Sequence, residues 1–132
     1  MSAELEEALR LLRMAERDQR AYLALIDAIS PEDFPSAAFH AQQAIEKSLK
    51  AVLCLHQIPF RRTHDLLELA GRVAEADIAL PIDDNALLRI TPYAVEFRYD
   101  DQALPLITVE AAAEATALCV DWCRQHLAGA SE

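Results

Sequence analysis

Glycine is almost missing from these 132 residues: only Gly71 and Gly129 occur, with no Asn-Gly or Gly-Gly pair. Tight hairpins rely on such pairs because their turns need positive φ, so a sheet built from hairpins is disfavoured. Long apolar runs are also missing. None approaches the ~20 residues that span a bilayer, and no membrane association is expected. Positive charge is scarce, and the formal net charge is -10. That balance argues against a free-standing, non-specific nucleic-acid binder, which needs a basic surface. It leaves room for a local basic cleft and suits a partner that is itself basic. Three cysteines, Cys54, Cys119 and Cys123, are an odd number. In a presumed cytosolic chain they read as reduced thiols.

What remains is apolar and helical in rhythm. Apolar residues make up 53% of the chain, enough to exclude disorder and to fill one core. Alanine and leucine recur at spacings of three and four, so the fold class is all-α. Residues 1–132 read as a single domain: a five-helix, mainly antiparallel up-and-down bundle. The opening MSAELEEALR reads as an acidic amphipathic helix start rather than a signal peptide, which makes the cytoplasm the expected location.

Prolines and short polar side chains mark the helix boundaries. A first helix over about 4–29 carries a core seam of Leu5, Ala8, Leu12, Ala15, Gln19, Tyr22, Ile26 and Ile29. Its arginine stripe, Arg10, Arg13, Arg17 and Arg20, reads as a solvated face with Glu6–Arg10 and Glu16–Arg20 pairs. Ser30 and Pro31 open a second helix that ends before Pro59. Thr63 is expected to cap a third helix to about Ala76, and Asp83 or Asp84 a fourth. Pro92 kinks or restarts that fourth helix. Thr108 caps a last helix to about Leu127. It has one core face (Val109, Ala113, Thr116, Val120, Cys123, Leu127) and a surplus apolar stripe of Ala111, Ala115, Leu118 and Trp122. Such a stripe predicts a homodimer interface, with Trp122 as its anchor. Cys119, Cys123 and His126 have a spacing that can bring ligands together, but no fourth ligand is evident. They read as buried thiols and a terminal His, and neither metal nor cofactor is expected.

The most informative stretch is 39–65, FHAQQAIEKSLKAVLCLHQIPFRRTHD. On a helical wheel Ala38, Ala41, Ile45, Leu49 and Val52 share one face, and Ser36, His40, Gln43, Lys47, Lys50 and Cys54 the other. A Gln-Lys-Lys row is an anion-binding candidate, because phosphate sites need convergent donors. With Gln43, Lys47 and Lys50 we group His64 and Asp65, at the start of the third helix, and Arg98, whose planar fork suits phosphate. The simpler reading has Glu46–Lys50 as an ordinary i,i+4 pair and Asp65 opposing a helix N-terminus.

Phe39–Ala51, Arg62–Leu66 and the Arg98-Tyr99 pair, in this order and spacing, resemble the HEPN family, and the resemblance covers nearly the whole chain. It implies a helical bundle, usually a homodimer, often partnered by a minimal nucleotidyltransferase in a toxin–antitoxin pair. Catalytic members are metal-independent ribonucleases carrying an Arg, then four to six intervening residues, then a His. Here no Arg precedes His40, His56, His64 or His126 at that distance. The resemblance therefore implies a non-catalytic partner or substrate-binding subunit that takes a nucleotide or RNA phosphate. The alternatives are a ribonuclease toxin using a divergent set, Arg98, Tyr99 and His64, and a plain nucleotide-binding or scaffolding dimer.

Overall fold

The computed structural model describes residues 2–28, 30–94 and 106–131. Among them are five α-helices and no strand: α1 (Ala3–Ala28), α2 (Phe34–Leu55), α3 (Leu66–Glu75), α4 (Asp84–Ile90) and α5 (Val109–Ser131). Short 3-10 turns at Pro31–Asp33 and Thr91–Ala94 precede α2 and follow α4. The all-α bundle expected from the sequence is the one observed.

Helix α2 is the centre of the bundle, packing on α1, α5 and α3. Its composition explains the position. Ala37, Ala38, Ala41, Ala44, Ile45, Leu49, Ala51, Val52 and Leu53 are all buried, which covers well over half of the helix circumference. Small alanines let neighbouring helices approach closely. Helix α1 runs antiparallel to α2, with Asp18 beside Lys47 and His40. Helix α5 runs alongside α2, with His56 meeting His126 near their C-terminal ends. Two long-range hydrogen bonds lock the frame: Tyr22 Oη donates to the Val109 carbonyl at 2.7 Å, and Trp122 Nε1 donates to the Ala79 carbonyl at 2.9 Å. The latter ties α5 to the α3–α4 connection.

Several local expectations need correction. The second helix does not start at Pro31; a 3-10 turn intervenes, and Pro35 occupies the first turn of α2, where a missing amide costs nothing. Asp65, not Thr63, caps α3, its carboxylate accepting from the Leu67 and Glu68 amides. The Thr63 hydroxyl instead accepts the Asp65 amide at 3.0 Å. The α1 arginine stripe is exposed as expected, but Arg10 pairs with Glu7 and Glu16 pairs with Arg124 of α5. Thr108 does cap α5, and that helix runs on to Ser131.

Glycine scarcity leaves a mark at two helix ends. Gln57 and Asp77, just beyond α2 and α3, have φ of 56° and 61°. Beyond Gln57, the Ile58 amide reaches back to the Leu53 carbonyl at 2.9 Å, closing the helix in the manner that usually employs glycine.

Candidate functional site

The polar residues of α2 gather around two carboxylates. The first is Asp18 of α1. Its two oxygens take His40 Nδ1 at 3.0 Å and Lys47 Nζ at 2.5 Å. The second is Glu46 of α2 itself, whose side chain is only 4% exposed. Glu46 Oε1 takes Gln42 Nε2 at 3.1 Å and His64 Nδ1 at 2.9 Å, while Oε2 takes Lys50 Nζ at 3.0 Å. Gln42 Nε2 also reaches the His64 carbonyl at 3.2 Å, and Gln43 Nε2 donates to Gln42 Oε1 at 2.7 Å. A buried carboxylate needs such company, because desolvating a lone charge is prohibitive. No buried side-chain nitrogen or oxygen among the described residues lacks a partner.

Lys50 and His64 thus meet at Glu46 and Gln43 reaches that cluster through Gln42, whereas Lys47 turns to Asp18. The arrangement differs from an open row of donors. Lys47 and Lys50 are 18% and 17% exposed, and each already holds a carboxylate. His64 is the outward member, with its side chain 67% exposed. Asp65 faces the α3 amides as a cap. Arg98 and Tyr99 lie outside the described residues.

Sequence reasoning passed over Asp18 and Gln42 and treated Glu46 only as half of a surface pair. A Glu followed by Lys four residues on is the commonest pattern of solvated helices, so nothing local marks Glu46 as buried. The available signal was the breadth of the apolar surface on α2, which places the helix centrally and leaves little solvent for any polar residue on it.

Two of the three signature segments read in the sequence supply residues of this network. Residues 39–51 lie on α2, and Arg62–Leu66 leads into α3. The HEPN domain profile matches residues 8–124. The chain belongs to the HEPN domain family. No match was found among curated proteins or among solved structures. Within this HEPN domain the two signature segments have a structural explanation. His64 fastens the entry of α3 to Glu46, and Asp65 starts α3 one residue later.

Elsewhere, the surplus stripe of α5 divides. Ala115 and Trp122 are buried within the chain, whereas Ala111 is exposed and Leu118 is 43% exposed. Cys119 and Cys123 are fully buried. Desolvation pushes both thiols up to about 12, which makes them poor nucleophiles at neutral pH. Among the described residues no group of three or more His, Cys, Asp and Glu converges.

Proposed function

We propose that this HEPN domain is the partner or substrate-binding subunit of a minimal nucleotidyltransferase, in a pair of the toxin–antitoxin type. It acts as a homodimer and takes a nucleotide or RNA phosphate beside α2. Family membership supports the nucleotide- or RNA-related role. The observation that carries the non-catalytic reading is the lack of any Arg separated by four to six residues from a following His. Net charge of -10 agrees with a protein partner better than with autonomous RNA capture.

The internal pairing of Lys47 and Lys50 sets the division of labour. A phosphate would compete with Asp18 and Glu46 for those ammonium groups. His64, with its exposed ring, and Arg98, with its fork, carry the contact in this reading. The test co-expresses the chain with a nucleotidyltransferase encoded beside it, then titrates nucleotide or short RNA into the complex and into the chain alone. Binding should weaken with salt, and Arg98→Ala should weaken it more than Lys47→Ala. Failure to form the complex, or binding indifferent to both salt and Arg98→Ala, refutes the proposal.

One observation favours a second reading. A nearly buried carboxylate gripping Nδ1 of an exposed imidazole is how many general bases are oriented. RNA cleavage by the purified chain that is lost in His64→Ala would establish the ribonuclease alternative instead.

A further inference from the structure

Far along α2 from the Asp18 cluster, His56 and His126 face each other. His56 caps the C-terminal end of α2, and His126 lies in the last two turns of α5. His56 Nε2 and His126 Nδ1 are 3.4 Å apart, and the rings are nearly perpendicular at 84°. Two nitrogens bound at ordinary zinc distances about a tetrahedral centre stand about 3.3–3.4 Å apart. We infer that His56 and His126 form a two-imidazole binding site for a late first-row divalent transition metal, of the zinc, nickel or copper class.

Two features of the surroundings fit this site. His126 lies within α5, and His56 is the residue directly after α2, its amide bonded back to the α2 carbonyls, so both are anchored to packed helices. The C-terminal end of α2 presents the negative end of its dipole to His56, which favours a bound cation. One of the facing nitrogens carries a proton in the hydrogen-bonded pair. Metal capture moves that proton to the other nitrogen of the same ring, with no net proton released. No third His, Cys, Asp or Glu among the described residues converges on the pair. Water completes the coordination.

The site carries its own reporter. Trp122 is the single tryptophan, and its ring stacks edge-on with His126 at a centroid distance of 5.2 Å. The experiment titrates Ni²⁺ into the full-length chain in a non-chelating buffer while following Trp122 fluorescence. Saturable quenching at one ion per chain, reversed by EDTA, is expected. In parallel, Zn²⁺ should raise the melting temperature by binding the folded form. Both effects should be lost in His56→Ala, a substitution at an exposed helix end that leaves the core intact, and in His126→Asn. Quenching that survives His56→Ala, or Zn²⁺ that leaves the melting temperature unchanged, overturns the assignment. Neither readout depends on nucleotide, RNA or a nucleotidyltransferase.

Discussion

Glu46 Oε1 lies 2.9 Å from Nδ1 of His64, joining a carboxylate that is 4% exposed to an imidazole side chain that is 67% exposed. Glu46 lies on α2 and His64 in the connection just before α3, so the contact fixes where α3 begins relative to α2. It also predicts unequal consequences for removing either partner.

Glu46→Ala should destabilise the fold by about 3 kcal/mol, because breaking a buried pair strands Lys50 and Gln42 without their acceptor. His64→Ala should cost less than about 1 kcal/mol, the range of solvent-exposed pairs. Urea unfolding of the two variants checks this. Equal losses would mean that Glu46 is not buried as described.

Helix ends offer a stabilising substitution. Gln57 has φ of 56°, a region where a side chain clashes with the neighbouring carbonyl at roughly 1–2 kcal/mol. Gln57→Gly should therefore raise stability by about 0.5–1 kcal/mol after the added flexibility of the unfolded chain is subtracted. A lowered urea midpoint would show that the Gln57 side chain contributes more than its backbone costs.

Alkaline pH should unfold the protein through its buried thiols. Cys119 and Cys123 rise from an ordinary 9.0 to about 12, with desolvation the largest cause. The folded chain thus holds protons that the unfolded chain releases. Stability is fully present below pH 9 and falls as pH rises toward 12. Tyr22, also raised to about 12 by burial, adds to the fall above pH 10. Urea midpoints at pH 7.5 and 10.5 should diverge less in a Cys119→Ala, Cys123→Ala double variant than in the parent.

Much of the fold was legible because it rests on local chemistry. Spacings of three and four marked the long helices, Thr108 was found at the cap it occupies, and of the two caps offered for α4, Asp83 and Asp84, Asp83 is the one used. The misses were tertiary. Thr63 and Asp65 are both acceptable caps, and only the course of the chain past Glu46 decides between them. Gln43, Lys47 and Lys50 were read as one row of donors, yet the carboxylates that Lys47 and Lys50 hold were hidden. Asp18 lies on another helix, and Glu46 wears the pattern of a surface residue.

The division of the α5 stripe makes the dimer expectation sharper. Trp122 stacks on His126 and donates to the Ala79 carbonyl, so replacing it removes an intrachain anchor. Trp122→Ala should cost about 3–5 kcal/mol of stability and would confound any test of association. Leu118 is 43% exposed, and its substitution leaves the core alone. If Ala111 and Leu118 mark the homodimer face, Leu118→Asp should yield a folded monomer with an unchanged circular dichroism spectrum. Interface energy concentrates in a few central apolar side chains, so a single buried aspartate there suffices. Sedimentation equilibrium at micromolar concentration measures the outcome. A Leu118→Asp protein that remains dimeric moves the interface off this face of α5, and a parent protein that is monomeric removes the homodimer from the proposed function.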